Sequence, residues 1–278
     1  MRQVSTTAVC AVGMTMIIVL GEIDLSVGSM LALLTVLSAM IYDVLSKTLS
    51  GGILSLLTLL IIILIGSGIG FASGLITARG KIPAFVTTLA LTTILRGTGF
   101  IITNGSPIPI SDESFKVFGS GWVLNIIPVP VVIMVIIILA GAFITRNTRI
   151  GRYIYAIGGN EIASRWSGVN TDFVKVIVFT LAGALYGIGA MILAGRLGGG
   201  FPATAIGAEM DVIAGTILGG TSLSGGKGTI FGTLIGVLII GVINNGLTLL
   251  DVSTYWQQII MGAIILTAVL LDTRTKIK

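Results

Sequence analysis

The sequence contains no histidine, a single cysteine and few charged residues. Only 16 Lys and Arg and 11 Asp and Glu occur among 278 residues, so 10% of the chain is charged, against about 25% in typical soluble domains. So few charges cannot cover a soluble surface, which argues against a soluble enzyme, a disordered chain and a nucleic-acid-binding module. Cys10 alone cannot make a disulfide framework or a cysteine metal site, and without histidine the commonest general base is missing. We therefore predict no catalytic residue and no metal site.

What the sequence has instead is long apolar runs, with 54% hydrophobic residues and 39 glycines. A bilayer core about 30 Å thick requires about 20 apolar helical residues, and no alternating strand pattern recurs. Nine runs qualify: 3–21, 25–42, 48–78, 83–103, 117–145, 176–195, 212–226, 228–250 and 252–271. The sequence therefore predicts an all-α integral membrane protein, a polytopic helical bundle of about nine transmembrane helices that forms one domain over residues 1–278.

The distribution of Lys and Arg predicts the orientation of these helices in the membrane. If the chain ends in the cytoplasm, eleven of the 16 cations lie inside: Arg79, Lys81, Arg146, Arg149, Arg152, Arg165, Lys175, Lys227, Arg274, Lys276 and Lys278. The outer side then holds Arg2, Lys47, Lys116 and Arg196, together with Asp112, Glu113, Glu209 and Asp211. The net charge of +5 is thus mostly an orientation signal. An odd number of crossings places Met1 outside, so we expect a further helix upstream; a cleaved signal peptide is disfavoured because no convincing cleavage site follows the run.

Glycines and one arginine stand out within the apolar runs. Gly66, Gly70 and Gly74 recur at four-residue spacing, as do Gly183 and Gly187, which predicts close helix packing rather than a binding role.

Arg96 lies 13 residues beyond Pro83, or about 20 Å along a helix, so it requires a polar partner or a wet cavity. Three roles fit this residue: its side chain extends to the outer membrane interface, it forms an ion pair within the bundle, or it lines a pathway.

Two short polar segments interrupt the runs. In the first, around Glu22, we expect Asp24 and Ser26 to cap the following helix; a role of the carboxylates in proton coupling is the alternative. The second, residues 219–229, looks like a phosphate-binding loop but departs from that pattern at Thr221 and Gly228. We predict a tight turn there, and no ATP binding by this chain.

The long hydrophilic segment 146–175 is the most informative part of the chain. Asn160 is a good N-cap and Gly168 a good C′ residue, so a two-turn helix is predicted between them. Glu161 and Arg165 form an i,i+4 ion pair on it, while Ile162 and Trp166 share another face. So short a helix needs tertiary packing. The Ile/Trp face docks either on its own protein and the headgroups or in a groove of a cytoplasmic partner.

Several segments together resemble the permease subunit of bacterial ribose-type ABC importers. They read GEIDLSVGS (21–29), RIGRYIYAIGGNE (149–161) and LGGTSLSGGKG (218–228), with NGSP (104–107) and NNGL (244–247) in support. The resemblance covers essentially the whole chain, although Glu22 stands where many relatives have Gly. It implies the type II ABC importer fold with ten transmembrane helices and a coupling loop between the sixth and seventh. Nine crossings plus one upstream helix agree with that count.

The resemblance also implies partners and site residues. A second permease subunit (a homodimer), two ABC ATPase subunits and a periplasmic or lipid-anchored sugar-binding protein would assemble with this chain in the bacterial inner membrane. Cofactors are expected only in the ATPases, which bind ATP and Mg²⁺; no nucleic acid is involved. ATPase coupling is assigned to Gly151, Arg152, Tyr155, Gly158, Asn160, Glu161, Ile162, Ala163, Arg165, Trp166 and Gly168. Pathway candidates are Asp24, Ser26, Arg96, Asn104, Asn244 and Asn245.

The function expected from the sequence is import of ribose or a related monosaccharide by alternating access, with ATP hydrolysed in partner chains. Galactose, a furanone signalling sugar or a nucleoside could replace ribose. An ion-coupled secondary transporter would have only Glu22, Asp24 and Arg96 for its ion site, and a purely structural membrane subunit is a further alternative.

Overall fold

The computed structural model describes residues 2–276 and is helical almost throughout. Its helices are α1 (Arg2–Val19), α2 (Val27–Ser46), α3 (Gly51–Gly80), α4 (Ala84–Thr103), α5 (Glu113–Ser120), α6 (Val129–Asn147), α7 (Arg149–Gly159), α8 (Glu161–Trp166), α9 (Thr171–Leu197), α10 (Ala208–Leu218), α11 (Ile230–Leu249) and α12 (Thr254–Lys276). Four two-residue strands lie in the connections: β1 (Ile108–Pro109), β2 (Trp122–Val123), β3 (Ile127–Pro128) and β4 (Gly199–Gly200). β1 pairs with β4 and β2 with β3, both antiparallel.

The helix bounds agree with the predicted crossings at most positions. Seven helices within residues 2–276 are long and apolar enough to cross a membrane, namely α1, α2, α3, α4, α6, α9 and α11. The last predicted crossing corresponds to the 23-residue α12. Two segments differ: the crossing predicted from Val117 begins at Val129, after α5 and the β2–β3 hairpin, and residues 212–226 contain the end of the 11-residue α10 followed by a non-helical loop. At about 1.5 Å per residue, α10 by itself spans about half the hydrocarbon core.

Helix α1 lies at the centre of the bundle, buried from Ala8 onward among α6, α9, α10 and α11. A lipid-facing surface has no need of polar residues, and the peripheral helices accordingly expose large apolar side chains, such as Leu64 of α3 and Val242 of α11. Polar side chains join helices inside: the hydroxyls of Thr15 (α1) and Thr233 (α11) are 2.7 Å apart.

The closest helix pair is α3 with α9, and the predicted glycine pattern explains it. A Cβ on Gly66 would collide with the carbonyl oxygen of Gly183, and one on Gly70 with that of Phe179. The packing role predicted for these glycines is confirmed, because only glycine allows the two backbones to approach so closely.

The break between α1 and α2 is a buried non-helical segment whose backbone is satisfied by α4. The Leu25 amide donates to Thr88 Oγ1 (3.1 Å), and Thr92 Oγ1 donates to the Leu25 carbonyl (2.8 Å). Non-helical backbone at such a position requires this kind of protein partner. The predicted capping role of Asp24 and Ser26 is wrong: Ser26 occupies the N-cap position but makes no side-chain cap. Its hydroxyl and amide both donate to Asp24 Oδ1 instead, at 2.6 and 2.8 Å.

The two ends of the bundle separate the charges in the predicted way. Arg2 at the start of α1 stacks over Trp122 of the β2–β3 hairpin, 4.4 Å from the ring centroid, at the end that also carries β1, β4 and α5. The segment between α6 and α9 lies at the opposite end, next to the α1–α2 break. Three of the cations assigned to the cytoplasm, Arg274, Lys276 and Lys278, lie outside the residues whose side chains the structure describes. Met1, which was placed on the outer side, also lies outside the described residues.

Candidate functional site

The predicted coupling segment is built from three capped helices in succession. Thr148 Oγ1 accepts from the Gly151 amide at the start of α7, and Asn160 Oδ1 accepts from the Ala163 amide (2.9 Å) at the start of α8. Asn170 Oδ1 does the same for Phe173 at the start of α9. Each cap satisfies an amide that the first helical turn leaves without a partner. The sequence therefore sets three helix starts within 23 residues.

Helix α8 ends in a Schellman motif. The Gly168 amide donates to the Arg165 carbonyl (3.0 Å), the Val169 amide to the Ser164 carbonyl (3.1 Å), and Gly168 has φ +85°. The predicted N-cap, helix and C′ glycine are confirmed. The helix ends at Trp166, one residue earlier than predicted.

The described residues leave the apolar face of α8 largely uncovered. Ile162 is 67% exposed and Trp166 86% exposed, and Phe173 at the start of α9 is 60% exposed beside them. Docking of this face on its own chain, one of the two alternatives from the sequence, is not observed. Exposed apolar side chains clustered at a polar end of a protein mark an interaction site.

The opposite side of α8 is held by ion pairs. Lys175 Nζ of α9 lies 3.0 Å from Glu161 Oε2 and 2.8 Å from Glu22 Oε1 of the α1–α2 break, and the side chains of Lys175 and Glu22 are only 12% and 17% exposed. Arg165 Nη2 lies 3.0 Å from Asp172 Oδ1 and donates to Thr171 Oγ1 (2.8 Å). The predicted pair of Glu161 and Arg165 is present at 3.4 Å. These contacts attach α8 to α9, and Lys175 of α9 joins them to the α1–α2 break.

Helix α7 packs against the loop that precedes α11. The Tyr155 hydroxyl donates to the Gly228 carbonyl (2.8 Å), and burial raises the pKa of this phenol, which favours the protonated, donating form. Gly158 touches the α1 end so closely that a Cβ there would collide with the Val19 carbonyl. The predicted turn in residues 219–229 is confirmed by hydrogen bonds from the Ser222 amide to the Lys227 carbonyl and from the Gly225 amide to the Ser222 carbonyl, both 3.0 Å.

The remaining coupling residues from the sequence lie on α7 and α8 but differ in exposure. Gly151 is buried in the first turn of α7, where a Cβ would collide with the Thr145 carbonyl, whereas Arg152 and Ala163 are exposed. Their role in coupling stays a prediction. Lys175, Asp172 and Thr171 were not singled out in the sequence; their i,i+3 and i,i+4 spacing at the start of α9 was the available signal.

At the opposite end of the bundle two cavities meet. The first, about 280 Å³, lies between α1, α9, α10 and α11 and is lined by Thr6, Arg196 and Thr204 among others. The second, about 510 Å³, lies between α10, α11 and α12 and is lined by Glu209, Gln257 and Gln258 among others. Asp211 and Asn244 line both.

The pathway candidates are scattered in the structure. Asn244 lines both cavities, whereas Asp24 and Ser26 are buried against each other, and Asn104 and Asn245 are exposed. Arg96 donates to the carbonyls of Pro202 (3.1 Å) and Thr204 (2.6 Å), so it is bound within the bundle and attaches α4 to the connection before α10. The sequence placed Arg196 and Asp211 on the outer side of the membrane but gave no sign that they line the same cavity.

Comparison with known proteins identifies the family. Residues 1–269 match the model of a family described as the branched-chain amino acid transport system permease component. The chain belongs to this permease family. It is 44% identical to the ribose import permease protein of Escherichia coli (strain K12) over 278 residues, which cover 99% of this chain and 84% of that protein. It is 43% identical to the ribose import permease protein of Bacillus subtilis (strain 168), with 99% and 83% covered. It is also 34% identical to the xylose transport system permease protein of Haemophilus influenzae, with 100% and 88% covered. No solved structure matches the chain significantly.

The permease is therefore a multi-pass protein of the bacterial inner membrane and a transport component of the ABC importer type. Permeases of this type work with ATPase and binding-protein partners. The face of α8 with Ile162 and Trp166 and the outer cavities lie at opposite ends of the same helical bundle.

Proposed function

We propose that this permease imports a monosaccharide, with ribose as the first candidate substrate. Relatives that are 43–45% identical over nearly the whole chain are ribose import permeases, and the related xylose permeases make xylose the second candidate. Import of galactose, a furanone sugar or a nucleoside in place of ribose is the alternative. The family description names branched-chain amino acids, so leucine is the necessary control substrate.

The observation that carries the mechanism is the asymmetry of α8. Its Ile162 and Trp166 side chains are exposed at the cytoplasmic end, while Glu161 and Arg165 on its other side are ion-paired to Lys175 and Asp172 of α9. Lys175 also pairs with Glu22 of the α1–α2 break. We assign α8 as the coupling helix, whose apolar face inserts into a groove of the ATPase. Because α8 is attached to α9, and α9 is attached through Lys175 to the α1–α2 break, a displacement of α8 moves both elements with it.

The proposed assembly contains two copies of this permease, two ABC ATPase subunits and a periplasmic or lipid-anchored sugar-binding protein. ATP and Mg²⁺ bind in the ATPases, and this chain binds no cofactor and catalyses no covalent step. Closure of the ATPases on ATP would shift both α8 helices and thereby change the side to which the pathway opens. The sugar contributes only through its different affinity for the two states.

The test is reconstitution of the permease with its ATPase and binding protein in proteoliposomes. We expect ribose with the binding protein to stimulate ATP hydrolysis and to drive uptake of labelled ribose. Stimulation by xylose alone would move the substrate to xylose, and a response to leucine alone would contradict sugar import.

Trp166→Ala tests the coupling helix in the same system. Because Trp166 is 86% exposed, the variant should insert and pack normally but lose ATPase association. Trp256→Ala is the matched control, since Trp256 of α12 is also exposed (61%) but lies away from the cytoplasmic segment. Equal retention of the ATPase by both variants during purification would contradict the assignment.

A further inference from the structure

We propose that the two outer cavities form one binding site for the hydroxyl groups of the transported sugar, with Asp211 and Asn244 at its centre. The inference rests on the proposed function, because it assigns to a monosaccharide a site that geometry alone shows to be polar and accessible. It concerns this chain's own residues on α1, α9, α10, α11 and α12, at the end opposite α8.

The first observation is the position of Asp211 and Asn244. Asp211 lies on the first turn of α10 and Asn244 on α11, and the two side chains line the same two cavities. Both residues line the cavity of about 280 Å³ and the cavity of about 510 Å³, so a ligand that contacts this pair can extend into either. Ligand sites are concave, largely apolar and carry a few polar groups that fix orientation, and these cavities have that character.

The second observation is a hydroxyl without a partner. Thr6 of α1 is only 6% exposed, its Oγ1 makes no hydrogen bond to any described residue, and it lines the first cavity. Other buried threonines, such as Thr216 and Thr145, donate to the carbonyl four residues earlier. In the described part of the chain Thr77, Thr87 and Thr221 are unpaired like Thr6, but none of them lines either cavity. A buried hydroxyl left unpaired costs about 1–3 kcal/mol, which a ligand with hydrogen-bonding groups would recover.

The third observation is the mixture of donors and acceptors around the cavities. Arg196 lines the first cavity, and within residues 2–276 its guanidinium makes no hydrogen bond or ion pair. Gln257 and Gln258 add amide groups to the second cavity. Every sugar hydroxyl both donates and accepts, so a site for a polyol needs carboxylate or carbonyl oxygens together with N–H groups. The first cavity contains one cation and one anion, and the second adds the carboxylate of Glu209. The joined cavities therefore supply both the donors and the acceptors that a polyol requires.

The experiment compares three variants for ATP-driven uptake of labelled ribose in proteoliposomes with the ATPase and binding protein. Asp211→Asn removes the carboxylate, and Thr6→Val removes the hydroxyl with little change of shape. Asp251→Asn is the matched control, because Asp251 is an exposed carboxylate at the same end that lines neither cavity. We expect uptake to fall about tenfold for Asp211→Asn and severalfold for Thr6→Val, with the control unchanged. Uptake equal to the control for both variants would overturn the site.

A labelling experiment covers the case in which a variant fails to insert. Cys10 is fully buried, so Asn244→Cys introduces the one accessible thiol among the described residues. We expect a membrane-impermeant thiol reagent to modify it more slowly when the binding protein supplies ribose. Equal rates with and without ribose would overturn the site, and protection by leucine instead would replace the sugar by an amino-acid zwitterion. Failure of the unaltered permease to respond to ribose at all contradicts the proposed function rather than the site.

Discussion

At the scale of single residues, glycines decide which backbones can touch. Gly158 near the end of α7 lies against the end of α1 and the loop 219–229. A Cβ atom added at this position would collide with the Val19 carbonyl oxygen and would lie 2.5 Å from the Gly226 amide nitrogen. The Gly226 amide itself donates to the Val19 carbonyl (2.8 Å), so three backbone segments meet at one point. The adjacent Gly159 has no atom within 4 Å of the corresponding Cβ position.

Gly158→Ala and Gly159→Ala therefore form a matched pair. Gly158→Ala should lower the thermal unfolding midpoint of the purified permease, since backbone atoms on two sides must move, at a cost of about 1–3 kcal/mol. Gly159→Ala should leave the midpoint unchanged or raise it slightly, because alanine favours helix by about 1 kcal/mol. Equal midpoints for the two variants would show that the three segments do not pack in this way.

At the scale of elements, the important arrangement is the attachment of α8. Lys175 of α9 pairs with Glu22 and Glu161, two carboxylates from elements far apart in the sequence. Removal of the cation would leave the largely buried Glu22 carboxylate and the more exposed Glu161 carboxylate without their shared partner, whereas removal of one carboxylate as well would relieve their repulsion.

We expect Lys175→Gln to raise the amount of ATP hydrolysed per ribose transported. The double variant Glu22→Gln with Lys175→Gln should bring this ratio part of the way back to that of the unaltered permease, with a coupling energy between the two residues of about 0.5–3 kcal/mol. Lys116→Gln is the control, since its pair with Glu113 on α5 is solvent-exposed and worth little. A double variant no better than Lys175→Gln would show that the two side chains act independently.

At the scale of the whole molecule, orientation in the membrane is the property that makes import possible. The exposed α8 face must be in the cytoplasm and the two cavities outside. Because Cys10 is buried, it should not react with a thiol reagent, so an introduced cysteine can be labelled selectively.

With an impermeant maleimide, Lys47→Cys in the α2–α3 connection should react in intact cells. Ser167→Cys at the end of α8 should react only after the membrane is permeabilised. Both positions are exposed, so the two cysteines should differ only in the side of the membrane from which the reagent reaches them. The reverse pattern would invert the topology derived from the Lys and Arg distribution.

Much of this could be predicted from the sequence, because the signals were local. Asn160 and Gly168 delimited α8 to within one residue, and the spacing of Gly66, Gly70 and Gly74 predicted close packing of α3, although not that its partner is α9. The error at Ser26 has a local cause as well: its hydroxyl had a competing acceptor two residues earlier, in Asp24, which a cap preference does not reveal.

The sequence by itself determined the membrane class, the positions of most crossings, the caps of α8 and the shared face of Ile162 and Trp166, since hydropathy and helix termini depend on neighbours within a few residues. That this face is exposed was decided by the tertiary structure. Only the tertiary structure decided which distant groups meet. Glu22 reaches Lys175 across 153 positions, and Thr6, Arg196, Asp211 and Asn244 share cavities although they lie on four different helices. Such encounters depend on helix rotation and register, which are set by backbone contacts such as Gly66 with Gly183 and carry no local pattern.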